Sequence, residues 1–89
     1  MSPTISSFDG IRIYMNTREK GHQAPHFHAE YAGMECVVDI RNQVVLAGSL
    51  PRKQLLKVLA WAVKHEDELM ENWLRLREGR EIILIEPLR

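Results

Sequence analysis

Apolar and polar residues follow different patterns in the two halves of the chain. In the first half, short apolar or alternating stretches are separated by Gly, Asn and Asp residues, which is typical of strands joined by tight turns. The pattern predicts five strands, at Thr4–Phe8, Ile11–Met15, His26–Tyr31, Glu35–Ile40 and Val44–Ala47. It places the turns at Asp9-Gly10, Ala32-Gly33 and Arg41-Asn42.

In the second half, apolar residues recur at helical spacing in two stretches, which predicts two amphipathic helices. One continuous helix from Arg52 to Glu78 would be about 40 Å long, too long for so small a sheet. We therefore expect a break near His65. The apolar run Ile82–Ile85 predicts a final buried strand. Residues 1–89 are thus expected to form a single α+β domain, a small and mainly antiparallel sheet with two C-terminal helices on one face and a final C-terminal strand.

Composition narrows the class of protein. The 89 residues are 45% hydrophobic and 27% charged, which is typical of a globular domain. Twelve basic residues balance twelve acidic ones, so no overall field attracts nucleic acid or an anionic membrane, and any RNA contact must be local. The single cysteine, Cys36, cannot form an internal disulfide, and no apolar run is long enough for a signal peptide or a membrane span. We expect a cytoplasmic protein that needs no cofactor.

The Ala32-Gly33 turn defines which residues face each other in the predicted sheet. If these two residues form the whole hairpin loop, Phe27 lies opposite Val38 and the apolar side chains share one face. The other face then carries the opposed pairs His26–Asp39, His28–Val37 and Glu30–Glu35. A loop at Arg41-Asn42 would similarly pair Val38 with Val45 and Cys36 with Ala47, with Val44 and Leu46 on the histidine face.

This register predicts an acid–base site. A carboxylate directly opposite an imidazole can orient it and raise its pKa, so that the histidine acts as a general acid or base near neutral pH. The predicted catalytic residues are His26, His28 and Asp39. The basic side chains that could hold a phosphate are Arg12, Arg18 and Lys20, the last two in a polar loop at Asn16–Ala24.

Two other interpretations stay open on the sequence. His26 and His28 project to the same side of a strand, as two metal ligands would, with His22, Glu30 or Asp39 as candidates for a third, although no spacing requires any of them. Alternatively, the histidines are half-buried polar residues that specify the sheet or a surface for a partner. No nucleophile motif and no glycine-rich phosphate loop competes with these three interpretations.

Several short segments resemble, over nearly the whole length, the bacterial family catalogued as domain of unknown function 4160. The matching segments are Pro3-Thr4-Ile5-Ser6, Pro25-His26-Phe27-His28-Ala29-Glu30-Tyr31, Gly48-Ser49-Leu50-Pro51, Ala60-Trp61, Glu68-Leu69, Asn72-Trp73 and Ile85-Glu86-Pro87-Leu88. Members commonly have two prolines before the first histidine, whereas this chain has Ala24-Pro25.

The resemblance implies a genetic context, in which the protein is the toxin of a small two-gene toxin–antitoxin module. Its main partner would be a cognate small antitoxin-like protein, with a second copy of the chain as the alternative. The resemblance supplies no catalytic residues. The resulting hypothesis is a toxin that acts on RNA or translation through a His–Asp surface, as a metal-independent, ribonuclease-like enzyme. A non-catalytic binding module and a small metal-binding domain are the alternatives.

Overall fold

The computed structural model, which describes residues 2–16 and 23–89, contains a sheet followed by two helices. The strands are β1 (Thr4–Phe8), β2 (Ile11–Tyr14), β3 (His26–Tyr31), β4 (Met34–Asp39) and β5 (Val45–Gly48), and the helices are α1 (Arg52–Lys64) and α2 (Glu66–Arg77). All pairings are antiparallel, in the order β1-β2-β3-β4-β5. The predicted α+β class is therefore confirmed.

The hairpin of β3 and β4 has the predicted register. His26 lies opposite Asp39 and Phe27 opposite Val38. Ala32 and Gly33 have φ angles of 49° and 81°, the left-handed backbone that a two-residue hairpin turn of type I′ requires. The tight turn therefore fixes which side chains of this hairpin share a face.

The next hairpin differs from the prediction after its first pair. Val38 lies opposite Val45 as expected, but the register shifts between Val38 and Val37, so Cys36 faces Gly48 and not Ala47. An extra residue in one strand of an antiparallel pair displaces every later partner by one position. The predicted turn defines the pairing only next to the loop, so it did not predict this β-bulge farther along the strands.

The core lies between the sheet and the helices. The fully buried ring of Trp61 in α1 has its centroid 5.5 Å from that of Phe8 and 6.0 Å from that of Phe27. Its indole N–H donates to the backbone carbonyl of Glu86 at 2.8 Å. Fully buried apolar residues of both the sheet and the helices complete this core, among them Ile5, Ile11, Ile13, Val38, Val58 and Leu69.

The expected helix break occurs at His65. The α1 helix ends at Lys64 and α2 begins at Glu66, while the His65 carbonyl accepts the first hydrogen bond of α2 from Leu69 N–H at 2.9 Å. The imidazole Nδ1 lies 2.6 Å from a carboxylate oxygen of Glu68. Because the first turn of α2 is acidic, it complements the positive end of the helix dipole.

The C-terminal segment is not a regular strand, and most of its apolar side chains are not buried as predicted. The Ile85 N–H donates to the Ile5 carbonyl beside β1 at 3.0 Å, but Ile83 pairs with the side chain of Asn72 and not with a strand. Ile85 is 4% exposed, whereas Leu84 is 73% exposed. Because the Asn72 amide satisfies both polar groups of the Ile83 backbone, the segment is held without extended pairing to the sheet.

Candidate functional site

Three adjacent strands bring Tyr14, His28 and Glu35 together. Tyr14 in β2 lies directly opposite His28 in β3. Glu35 in β4 is diagonal to His28, two positions from Val37, its direct partner. Diagonal neighbours on one face are within reach of long side chains. We refer to these three residues as the Tyr14–His28–Glu35 cluster.

Ring stacking and one short hydrogen bond hold the cluster together. The Tyr14 and His28 rings are stacked, with centroids 4.9 Å apart and an interplanar angle of 18°. The Tyr14 hydroxyl donates to Glu35 Oε2 at 2.6 Å, and Glu35 Oε1 lies 3.5 Å from His28 Nδ1. The tyrosine thus fixes the glutamate in a position where it faces the imidazole.

The position of the ring proton on His28 follows from its neighbours. The amide nitrogen of Asn16, which can only donate, lies 3.3 Å from His28 Nε2. In the neutral ring, Nε2 is then the acceptor and the proton resides on Nδ1, where it faces Glu35. The Glu35 carboxylate therefore lies beside the nitrogen that carries the proton, and Nε2 is the nitrogen that can accept one.

The surroundings of Tyr14 keep its phenol protonated, so that it can donate a hydrogen bond. Burial, together with the hydrogen bond to Glu35, raises the pKa of the Tyr14 phenol well above its ordinary value of 10.0. The Arg12 guanidinium carbon lies 4.3 Å from the centre of the Tyr14 ring, as a cation–π contact. Arg12 also donates to Thr4 Oγ1 at 2.7 Å and to the Ser2 carbonyl. This arginine is therefore anchored beside the cluster.

His26 packs next to the cluster and against α2. Its ring centroid is 5.4 Å from that of His28 and 4.9 Å from that of Trp73, and the residue is only 5% exposed. His26 Nδ1 lies 2.8 Å from the Ala24 carbonyl oxygen, which can only accept. The Nδ1 atom therefore carries the proton, and Nε2 is the nitrogen that can exchange one. The ring does not lie on an open sheet face away from both helices, as the register alone implied.

Asp39 lies opposite His26 in the sheet, but its carboxylate serves the following turn. Asp39 Oδ1 accepts hydrogen bonds from the backbone N–H groups of Arg41 and Asn42, each at 2.9 Å, and Oδ2 accepts from the Asn42 side chain at 3.3 Å. The backbone bond from Asn42 contributes most to lowering the pKa of Asp39 below its ordinary value of 3.8. The predicted pairing of the His26 and Asp39 backbones thus forms. The Asp39 carboxylate, however, binds groups of the following turn.

The structure describes only some of the other predicted site residues. Arg18, Lys20 and His22 lie outside the described residues. Glu30 faces both Arg12 and Glu35 across the sheet. Within residues 2–16 and 23–89, no group of three or more His, Cys, Asp and Glu side chains is arranged to hold a metal ion.

Sequence reasoning missed the contributions of Tyr14, Asn16 and Glu35. Glu35 could have been found, because the correctly predicted hairpin already makes it a diagonal neighbour of His28. Tyr14 and Asn16 precede a long connection to β3, and a connection of that length does not define a register. The β2–β3 pairing is therefore the information that the structure adds.

The fold and the cluster define a small α+β protein in which an open antiparallel sheet carries a polar site across its central strands. A family model described as "Domain of unknown function (DUF4160)" matches residues 10–74, more than half of the chain. The protein belongs to this family. Comparison with curated proteins and with solved structures finds no match.

In the part of the chain that the structure describes, neither helix has the length and apolar character needed to cross a bilayer.

Proposed function

We propose that this protein is the toxin of a bacterial toxin–antitoxin pair and that it cleaves RNA by acid–base chemistry at His28. The observation that supports the chemistry is the Tyr14–His28–Glu35 cluster, in which a carboxylate faces one nitrogen of a nearly buried imidazole. The family resemblance motivates the genetic context. Compared with the sequence hypothesis, Glu35 takes the place of Asp39 as the carboxylate, and His28 takes the place of His26 as the imidazole that the carboxylate orients.

RNA carries its own nucleophile, the 2′-hydroxyl group. A base removes the hydroxyl proton, the oxygen attacks the adjacent phosphorus, and an acid protonates the departing 5′-oxygen. In our proposal His28 Nε2 accepts the first proton, with the substrate hydroxyl replacing Asn16 as its partner. Glu35 stabilises the resulting imidazolium through Nδ1, as the acidic residue of a catalytic triad does.

The second imidazole and the anchored arginine complete the proposed machinery. His26 is close enough to His28, at 5.4 Å between ring centroids, for the two rings to serve the same phosphodiester as acid and base. Its Nδ1 proton is donated to the Ala24 carbonyl, so the proton that the imidazolium form of His26 gives to the departing 5′-oxygen comes from Nε2 and leaves a neutral ring. Arg12, held against Tyr14, supplies positive charge for the phosphate. Asp39 contributes indirectly, by fixing the end of β4.

Growth of an expressing bacterial strain tests this proposal. We expect the wild-type protein to reduce colony-forming units and the His28→Gln variant to restore them at least tenfold. The matched control is His65→Gln, which changes a histidine at the helix break and should remain as toxic as the wild type. Circular dichroism of the purified variants verifies folding. Equal toxicity of wild type and His28→Gln would reject the catalytic role, and a harmless wild type would reject the toxin assignment.

A non-catalytic binding module is the second candidate, and a specific observation favours it. Val44, Val45 and Leu46 are 49%, 38% and 49% exposed, a concentration of apolar surface at one edge of the sheet. Exposed apolar patches of this kind often mark protein interaction sites. The growth experiment separates the candidates, since a module without chemistry loses no toxicity when His28 becomes Gln.

A further inference from the structure

The two edges of the sheet differ in how they are covered. At the β1 edge, the C-terminal segment lies alongside the strand and donates a hydrogen bond from Ile85 N–H to the Ile5 carbonyl. At the β5 edge, the backbone hydrogen bonds found among the described residues are directed to β4, such as Asp39 N–H to the Val44 carbonyl and Ser49 N–H to the Glu35 carbonyl. Among residues 2–16 and 23–89, β5 is the last strand of the sheet, and no other strand pairs with its outer side.

The sequence of β5 does not protect this edge. All four residues of the strand, Val45–Gly48, are exposed, and Val44 just before it is 49% exposed. No charged residue occurs between Arg41 and Arg52. Sheet proteins usually discourage pairing at an open edge with lysine, proline or an inward-pointing charge. An apolar, uncharged edge is what a partner strand needs for main-chain pairing and side-chain contact.

Charge at the end of β5 restricts the kind of partner. The first turn of α1 begins four residues after the strand and carries the exposed side chains of Arg52 and Lys53, with no acidic residue in that turn. Pro51 provides no side-chain cap, so the positive end of the helix dipole adds to the two cations. A carboxylate at this position would be favoured by all three groups.

We propose that β5 is the docking edge for an extended segment of a partner protein, apolar in its middle and acidic at the end beside the start of α1. The segment adds a sixth strand to the five-stranded sheet. The inference deepens the second candidate function by naming the edge and the chemistry of the partner. It does not depend on whether His28 is catalytic.

A second copy of this chain is a poorer occupant of the same edge. An antiparallel pair of β5 strands centred on Leu46 would set Arg41 of one copy beside Pro51 and Arg52 of the other. Since residues 42–51 contain no acid, each end of such a pair would bring cations together without compensation. An acidic partner segment avoids this repulsion.

Labelled eight-residue peptides test the proposal on the purified full chain by fluorescence anisotropy. Two probes alternate valine and threonine and carry two glutamates, at the C-terminal end in one and the N-terminal end in the other, because the strand direction is not specified. Two control probes carry lysines in place of the glutamates. We expect one glutamate probe to bind at least tenfold more tightly than its lysine counterpart.

Variants of the chain identify the edge. Leu46→Lys should weaken binding of the glutamate probe at least tenfold, whereas Leu56→Lys, at a residue of α1 that is 54% exposed, should not. The double substitution Arg52→Glu with Lys53→Glu should reverse the preference in favour of the lysine probe. Circular dichroism establishes that each variant is folded.

Three results would overturn the inference. The first is absence of binding by all four probes, and the second is equal binding of glutamate and lysine probes. The third is a wild-type dimer in sedimentation velocity that Leu46→Lys abolishes, because a second copy would then occupy the edge. None of these results alters the growth test of His28→Gln, so failure of this inference and failure of the proposed function are distinguishable.

Discussion

Asp39 faces His26 across the sheet, yet its carboxylate accepts three hydrogen bonds from the turn that follows it. Those bonds favour the ionised form and lower the pKa of Asp39. A group whose pKa is lower in the folded chain than in the unfolded chain stabilises the fold above its unfolded pKa. That stabilisation is lost as the pH falls through the folded pKa. The hydrogen bonds from the turn to Asp39 therefore make the stability of the fold depend on pH in the acid range.

The first prediction concerns Asp39→Asn. At pH 7 we expect this variant to lower the free energy of unfolding by about 2 kcal/mol, since it weakens bonds made to a charged acceptor. The difference from wild type should shrink as the pH falls below 3.8, because the wild-type carboxylate is then protonated in the unfolded chain and, at lower pH, in the folded chain as well. Urea unfolding between pH 7 and pH 2.5 measures both effects. Asp67→Asn, at an exposed position in α2, is the control and should change stability much less.

Gly48 gives a second prediction at the scale of a residue. Its φ of +72° is left-handed, and a Cβ atom there would overlap the Glu35 carbonyl oxygen. Gly33 has a similar φ of +81° but open space around it. We expect Gly33→Ala to cost about 1 kcal/mol from backbone strain alone. Gly48→Ala should cost about 2 kcal/mol more, because the backbone of β4 must also move. Equal losses in urea unfolding would contradict the role of the close approach.

Among the elements, the hairpin of β3 and β4 is the one that the sequence predicted in register. A two-residue turn leaves one pairing for the flanking strands, and the alternation of Phe27 and Ala29 with His26 and His28 then fixes the faces. The helix break at His65 was also predictable, since helix length is proportional to residue number. In both cases, the geometry of residues close together in the chain was sufficient to predict the structure.

Longer-range features were not predictable from local patterns. The apolar run Ile82–Ile85 reads as a buried strand, but a single side chain, Asn72, competes for its backbone groups. Likewise, the ring of Trp73 covers His26, a contact between residues far apart in the chain. The stacking of Tyr14 on His28 depends on a pairing across a long connection. These contacts are set by tertiary packing, which periodicity does not encode.

The Asn72 contact leads to a prediction for the C-terminal segment. Asn72 is buried, donates to the Ile83 carbonyl at 2.8 Å and accepts from the Ile83 N–H at 2.7 Å. Asn72→Ala should lower the free energy of unfolding by about 2 kcal/mol, since it removes both hydrogen bonds to the Ile83 backbone. Hydrogen exchange should accelerate selectively in residues 82–86. Leu74→Ala, at an exposed position of the same helix, should leave that exchange unchanged.

At the scale of the whole molecule, the site and the open edge occupy different parts of one sheet. The Tyr14–His28–Glu35 cluster spans β2 to β4, whereas the apolar edge is the outer side of β5. Glu35 is close to both, because its side chain faces His28 and its backbone carbonyl accepts the Ser49 N–H just after β5. A strand added at the outer side of β5 would be separated by β5 alone from the strand that carries Glu35.

RNA end mapping tests the central claim most directly. After brief induction of the protein in a bacterial strain, the 5′ ends of total RNA are sequenced by a ligation method that distinguishes 5′-hydroxyl from 5′-phosphate ends. Acid–base cleavage through the 2′-hydroxyl leaves 5′-hydroxyl ends. We predict new 5′-hydroxyl ends with the wild type and with Glu30→Gln, and at least a tenfold reduction with His28→Gln and Glu35→Gln. New ends of equal abundance in wild type and His28→Gln, or none in the wild type, would contradict the account.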